Sequence, residues 1–450
     1  MAINSDQIWS KFYEQITEVV VPNFDKNKQV ISIAGTTLNA DVINADPGIS
    51  NSNIFDIGNL LPAASPTYSP GGDLITSYSL FLQNIDLGGD SNPALENQIN
   101  IAATNLNASQ ENFSTVQGKA YTQYGTYKTV INPTYAGDFD TWANTNYPTY
   151  GAAKSNLNGA MAAYDGLMTQ RYGAGYATLQ ASQAAVSAIT GAKSLVASNP
   201  YNMGVKVGSV APAGSVTVLP GQENPVLPTE LKSTFRPAYN IGGGLPGTFT
   251  SWQTASVAKK FPVSVKLSGN FSSGNYSDFG WSESVQASYR SWFSVKLDQQ
   301  ASYSAVSQNW DQSSFDCEIS FNGMQQFPIT PDANWFSPGM IQNYKDKLLS
   351  TSPQFFGEGG SLNVIPSSVL LGYGLKIKIK IDNASYSSLK TAFQQSASLS
   401  VGVGPFNLSV SESSHNYKSE FSYDDNSSTL IIEPENTNIP FLLGVLSNKY

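Results

Sequence analysis

Apolar residues recur along this chain with two different periods, and the change from one to the other divides it. Residues 5–24 place Ile8, Phe12, Ile16 and Val19 or Val20 at helical spacing, and Pro22 forbids continuation. The pattern predicts an amphipathic helix whose apolar stripe needs a partner. Residues 25–92 alternate short apolar runs (VISIAGTTL, SLFLQNIDL) with Pro, Gly, Asn and Asp clusters, the punctuation of short strands and turns or of an extended wrapping segment. From Pro93 the spacing changes: Leu95, Ile99, Ala102, Leu106, Phe113, Val116, Ala120, Tyr124, Tyr127 and Ile131 fall mostly at steps of three, four or seven. That is the seam of a long helix, with Pro93 where a first-turn proline is tolerated. A second helical stretch is predicted over residues 151–197, with Leu157, Met161, Tyr164, Met168, Leu179, Val186, Ile189 and Val196 on one side. Antiparallel pairing across the connection from Pro133 to Pro148 is the simplest arrangement, and Asn199-Pro200 ends the helix.

Beyond residue 200 the helical period gives way to alternation. Val263, Val265 and Leu267 alternate with Ser and Lys, as do Phe293, Val295 and Leu297. Phe315, Cys317, Ile319 and Phe321 alternate with polar residues, and Leu375, Ile377, Ile379 and Ile381 with Lys. Period two over so many separate runs predicts strands with one apolar and one wet face, and almost no helix between residues 250 and 335. The expected fold class is α+β: a long antiparallel helical hairpin followed by a mainly antiparallel β-domain, as a sandwich or an elongated sheet. Its expected divisions are 1–92 (amino-terminal helix and extended or short-strand segment), 93–199 (helical hairpin) and 200–450 (β-domain). No fixed-period repeat speaks for a solenoid or propeller.

Composition narrows the partners. Only 13% of the residues are charged, so Asn, Gln, Ser, Thr, Tyr and Gly cover the surface and neighbouring molecules repel one another weakly. A net charge of −9 argues against nucleic acid, which needs clustered Lys and Arg. The single cysteine forbids an intramolecular disulfide, and the start MAINSDQIWSKF lacks a secretory pattern, so synthesis in the cytoplasm without a signal peptide is expected, followed by release or retention as an assembly. Without that route, sequons such as Asn107, Asn270 and Asn383 reflect an Asn- and Ser-rich composition rather than glycan acceptors. No run approaches the roughly 18 apolar residues of a spanning helix.

Candidate chemistry is sparse. The only histidine, His415, sits in the polar run Ser411 to Tyr417 with no second imidazole to share a zinc ion. Cys317 occupies an apolar position of an alternating run, the place of a small buried hydrophobe rather than a nucleophile. Gly242-Gly243-Gly244 lacks the Lys-Ser/Thr ending of a phosphate loop and reads as a flexible turn. Carboxylate pairs occur at Asp316 with Glu318, Asp424-Asp425, and Glu433 with Glu435, and a glycosidase needs two carboxyl groups suitably apart, which sequence proximity does not establish. No catalytic residue, cofactor or metal is expected.

The most distinctive stretch runs from Phe261 to Val306, where Phe271, Tyr276, Phe279, Val285, Tyr289, Phe293, Val295 and Tyr303 alternate with Ser, Asn and Gln. A second, from Ala397 to Tyr423, carries Leu399, Val401, Val403, Phe406, Leu408 and Val410 and is broken by Gly404-Pro405, a natural hairpin tip. Ordinary half-buried strands have this pattern. So do strands that leave a soluble fold to join a transmembrane barrel, which need about ten residues of apolar-out, polar-in alternation. In style these two segments resemble those of bacterial β-barrel pore-forming toxins, although no family motif matches residue by residue and no residue role is carried over. Lys376, Lys378 and Lys380 make one strand face basic, suited to anionic lipid or, more commonly, to blunting an edge strand. Trp281, Trp292, Trp310 and Trp335 suit sugar stacking if exposed and a core if buried.

The expected function is therefore non-enzymatic and membrane-active, of pore-forming, toxin-like kind, with Val285, Tyr289, Phe293, Val295, Leu399, Val401, Val403, Phe406, Leu408 and Val410 as the inserting or assembling strand positions. The alternative is a structural protein that self-assembles into arrays, filaments or intracellular crystals through its weakly charged surface. A carbohydrate-binding module comes third. The expected partners are further copies of the chain, with a target membrane or a glycan beside them.

Overall fold

Ile8, Trp9, Phe12, Tyr13, Ile16 and Val20 fall on one side of helix α1 (Ser5–Val20), and all six are buried. The computed structural model in which they lie describes residues 5–450 except 45, 63–65, 69, 90–91, 136, 138, 191–201, 207–232, 270, 272–275, 283–290, 298–314, 381, 385, 388–389, 392–398, 410–416 and 436–438. The fold is mixed α+β with mostly antiparallel sheets, and the chain divides into two compact units. The first comprises residues 1–81, 185–341 and 352–450, and the second 82–184 and 342–351.

Early in the first unit the chain forms β1 (Gln29–Asn39), α2 (Pro47–Gly58), β2 (Leu60–Pro62), β3 (Thr67–Tyr68), β4 (Pro70–Asp73) and α3 (Leu74–Gln83). The two helices depart from the strands and turns expected over residues 25–92. In α2 the Asp46 side chain accepts from Gly48 N at 2.8 Å and Pro47 stands in the first turn, so the Asp-Pro pair that resembles loop punctuation is a helix start. In α3, Leu74, Tyr78, Phe81 and Leu82 are buried at helical spacing, and that stripe prevails over the shorter alternating reading of SLFLQNIDL.

The second unit is built on α4 (Pro93–Thr126), 34 residues long and continued by a five-residue π-helical turn, Tyr127–Ile131. Asn92 caps it by accepting from Ala94 N and Leu95 N, with Pro93 next in line. Two helices follow, α5 (Phe139–Asn146) inside the expected connection and α6 (Pro148–Tyr172). α7 (Ala174–Thr190) then carries the chain onward. The single helix expected over residues 151–197 is thus broken at Gly173, whose φ of 71° no ordinary residue adopts cheaply. Residues 191–197 of that expectation, and Asn199-Pro200, lie outside the described residues. Arg171 near the end of α6 meets Glu96 near the start of α4 at 2.9 Å, while Tyr150 near the start of α6 packs on Phe113 of α4.

The remaining elements are β5 (Asn202–Lys206), β6 (Ser233–Pro237), β7 (Tyr239–Ile241), α8 (Leu245–Val257), β8 (Val263–Ser268), β9 (Phe293–Leu297), β10 (Asp316–Phe321), β11 (Gly323–Pro331) and α9 (Pro338–Tyr344). They are followed by β12 (Val364–Tyr373), β13 (Lys376–Lys380), β14 (Leu399–Val403), β15 (Phe406–Ser409), β16 (Tyr417–Asp424), β17 (Thr429–Pro434) and β18 (Phe441–Lys449). Helix α8 reaches into the stretch expected to be nearly free of helix, as does the short 3-10 turn Tyr276–Phe279. The Gly242-Gly243-Gly244 turn leads into α8, with Gly243 and Gly244 at φ 75° and 67°.

One sheet of six strands runs β3-β1-β18-β12-β11-β7 and another of eight runs β8-β10-β13-β17-β16-β15-β14-β9. Parallel pairs occur only at β1 with β3 and β15 with β16 among the described strands. A single apolar cluster joins Ile31, Ile33, Leu370 and Leu443 of the first sheet, Val265, Ile319, Ile377 and Val401 of the second, and the stripe of α1. The partner that the stripe of α1 requires is this shared core.

Candidate functional site

The two Ser-rich segments, more than a hundred residues apart in sequence, become adjacent strands. In antiparallel register Phe293 lies opposite Val403, Val295 opposite Val401, and Leu297 opposite Leu399. One strand further on, Val401 faces Leu408 and Val403 faces Phe406 across the hairpin that turns at Gly404-Pro405. Because the side-chain period of a strand is two, this register puts the apolar positions of β9, β14 and β15 on one face. Phe293, Val295, Val401, Val403, Phe406 and Leu408 are all buried, while Ser294, Ser400 and Asn407 alternate with them and are half-exposed. Val285, Tyr289 and Val410 lie outside the described residues, and Leu399 is placed by its register alone.

Helix α1 and β1 hold this strand group. The Trp292 ring meets Trp9 with centroids 5.0 Å apart and Phe12 at 5.3 Å, and Trp292 N donates to Ser5 Oγ at 3.1 Å. Gly404, at φ 52°, donates its N–H to Trp292 O at 2.7 Å. At the hairpin tip Pro405 O accepts from Thr37 N at 2.9 Å and from Thr37 Oγ1 at 3.3 Å. The tip is therefore pinned from the other sheet by two hydrogen bonds to one carbonyl.

Lys376, Lys378 and Lys380 share the outer face of β13, but their surroundings are not purely basic. Lys376 pairs with Glu433, Lys378 with Glu318 at 3.4 Å, and Lys266 approaches the same Glu318 at 4.0 Å. Lys380 stands opposite Asp316 in register. Strand β13 lies between β10 and β17, so these lysines do not blunt an edge; they alternate with carboxylates across neighbouring strands.

The carboxylate pairs are tied into structure. Glu435 bonds Lys418 at 2.6 Å, and Asp424 accepts from Ser427 Oγ and Asn426 N, contacts that hold its carboxyl below the usual range. Asp425 receives Lys390 Nζ and Tyr386 Oη, which lower its carboxyl in the same way. A glycosidase acid is shifted in the opposite direction. Cys317 is buried, and that burial, with Asp316 and Glu318 adding to it, pushes its thiol far above the ordinary value. His415 lies outside the described residues, as does Trp310, whereas Trp281, Trp292 and Trp335 are buried and offer no free stacking face. Among the described residues no group of three or more His, Cys, Asp or Glu stands where it could hold a metal, and no helix is long and apolar enough to cross a membrane.

A second feature went unread in the sequence. The connection between α4 and α6 is an aromatic cluster in which Ala120, Trp142, Ala143 and Tyr150 are buried and Phe113, Tyr124, Tyr127, Tyr135, Phe139 and Tyr147 pack around them. Tyr124 Oη donates to Gly137 O at 2.7 Å, and Tyr150 Oη donates to Asp140 at 2.6 Å. Lys154 completes the Asp140 site at 2.8 Å. The aromatic density of YTQYGTYKTVINPTYAGDFDTWANTNYPTY was the available signal, hidden because no single period runs through it. Comparison with protein-family models, with curated proteins and with solved structures finds no match to this chain.

Proposed function

We propose that the protein acts without enzymatic chemistry as a membrane-active, pore-forming protein of toxin-like kind, with β9, β14 and β15 as its inserting strands. What supports this reading most is the register that gathers the apolar positions of two distant Ser-rich segments on one face. Such a face, with Ser294, Ser400 and Asn407 on its reverse, follows the apolar-out, polar-in alternation of a barrel wall over five residues in β9 and β14 and four in β15, so the proposed insertion needs these strands to lengthen. In the soluble form α1 and the tip clamp at Thr37 keep that face within the core. On this reading the long helices, paired as an antiparallel hairpin, package the chain before insertion, and the oligomer supplies the neighbouring strands that close the wall.

The test is dye release from liposomes by a T37C/P405C variant in a C317S background. The oxidised protein, its hairpin tip locked to β1, is expected to release no dye, and the reduced protein to release it as the C317S parent does. Equal release in both states, or none from the parent, overturns the reading. Nitroxide-labelled lipid should also quench a dye at V295C and not one at S294C.

A second reading, self-assembly into arrays, filaments or crystals, draws on the low charge content, 13%, and on the pairing of many exposed charges with one another. Electron microscopy separates the two: rings in bilayers favour the pore, and lattices without lipid favour assembly.

A further inference from the structure

Two central strands of the six-stranded sheet part company before they end. β11 and β12 pair only as far as Pro328 opposite Ser368; beyond that point β11 stays with β7 over 329–331 and β12 with β18 over 364–366. Proline accounts for the parting. Pro328, Pro331 and Pro366 have no N–H to give, and Ser367 is the extra residue of a bulge between Pro366 and Ser368, so the facing edges cannot continue a ladder. A cavity of about 320 Å³ is lined from both parted strands, by Ile329 to Pro331 on one side and Ile365 to Ser367 on the other. Small-molecule sites span roughly 300–1,000 Å³.

Its walls are apolar: Ile329, Phe336 and Ile365 are buried there, and Pro331, Pro338 and Pro366 add rigid rings. The polar groups are few. Asn240 comes from β7 and Asn448 from β18, the outer strands of the four, with Thr330 and Tyr450 beside them. The side chains of Asn240, Thr330 and Asn448 make no hydrogen bond to another described residue. Burial pushes the Tyr450 hydroxyl up, so it stays a neutral donor and acceptor.

These walls select among ligands. No lining side chain is charged, so a charged ligand would lose its hydration here with nothing to replace it. An inserted peptide strand is disfavoured as well, because it needs both N–H and C=O partners, whereas the prolines on both edges supply only C=O. A ring bearing several hydroxyls meets both conditions. Its C–H faces cover the apolar walls, and each asparagine amide offers a donor and an acceptor at one end to neighbouring hydroxyls.

We propose that this cavity binds a neutral pyranose sugar, its ring against Phe336 and Ile365 and its hydroxyls shared by Asn240 and Asn448. The cavity belongs to the six-stranded sheet, whereas the strands proposed to insert belong to the eight-stranded one, so sugar binding stands or falls without the pore.

The experiment is saturation-transfer NMR and calorimetric titration of the full chain with methyl glucoside, methyl galactoside, methyl mannoside and N-acetylglucosamine, all neutral. At least one is expected to bind with a Kd of about 1 mM or tighter. N240A and N448A should each weaken it about 5-fold through loss of a hydrogen bond. A333W, which places a large ring at an exposed residue of the cavity wall, should abolish binding. N107A, the same truncation at an exposed asparagine of α4, should bind as wild type, and unchanged urea midpoints should show that every variant is folded. No binding by any of the four sugars, or binding that N240A, N448A and A333W leave unchanged, overturns the inference. So does binding of an uncharged, capped trialanine peptide that A333W abolishes while no sugar binds, since that assigns the cavity to strand addition.

Discussion

The indole rings of Trp9 and Trp292 meet edge to face, centroids 5.0 Å apart and planes inclined by 81°, joining the amino-terminal helix to the residue that precedes β9. Both side chains are buried, so each contributes its full apolar area as well as the ring contact. Replacing either by Ala is expected to cost about 3–5 kcal/mol of stability, because the surrounding core cannot collapse into so large a void. Urea unfolding of W9A and W292A measures it, and the double variant should lose less than the sum of the two because the residues touch.

The hairpin between β14 and β15 depends on Gly404. At φ 52° it occupies a conformation that costs an L-residue roughly 1–2 kcal/mol, and an added Cβ would approach the Trp292 ring to 2.7 Å. G404A is therefore expected to destabilise the protein by more than about 1 kcal/mol, whereas S400A on the opposite face should fall within about 0.5 kcal/mol. Thermal or urea unfolding of the two variants side by side checks the contrast.

Cys317 is enclosed by apolar neighbours and its thiol is held protonated, so a thiol reagent should label the native protein only as fast as it unfolds. Labelling in urea should be complete within the mixing time. C317S combined with H415Q is expected to retain the proposed membrane activity while losing about 1–3 kcal/mol to a hydroxyl without a ready partner. Loss of activity with the fold intact would assign chemistry to one of the two residues.

Asp140 titrates below the ordinary aspartate value of 3.8, chiefly because Lys154 and then Tyr150 bond its carboxylate. A depressed folded-state value means that the stabilisation is present above the unfolded value and is lost as the pH falls through the folded one. The aromatic cluster should therefore weaken in acid, reported by the fluorescence of Trp142, and D140N should flatten that acid dependence while lowering stability at neutral pH. The Tyr150 hydroxyl, desolvated and bonded to Asp140, is pushed up to about 12 and stays protonated throughout.

Periodicity alone located the elements whose burial repeats regularly. The stripe of α1 and the alternation of β8, β10 and β13 were legible, because each follows from one residue after another meeting the same core; the helix α4 beginning at Pro93 was legible too, but of its expected seam only Ile99, Ala102 and Ala120 are buried and Ile131 is 69% exposed. Elements set by a few local contacts were not. Helix α2 is defined by a cap at Asp46, and the break between α6 and α7 by the positive φ of Gly173, neither of which leaves a periodic trace. The candidate strands were recognisable one by one as amphipathic, but the adjacency of β9 to β14, Val295 beside Val401, arises from pairing across more than a hundred residues. The surroundings of the Lys376, Lys378 and Lys380 row were likewise decided by which strands flank β13, since a strand's own sequence does not say whether Glu318 and Glu433 stand beside it. Sequence determined which faces are apolar; only the tertiary structure decided what covers them, because α1 and the Thr37 clamp meet β9 and β15 through non-local contacts that no local period encodes.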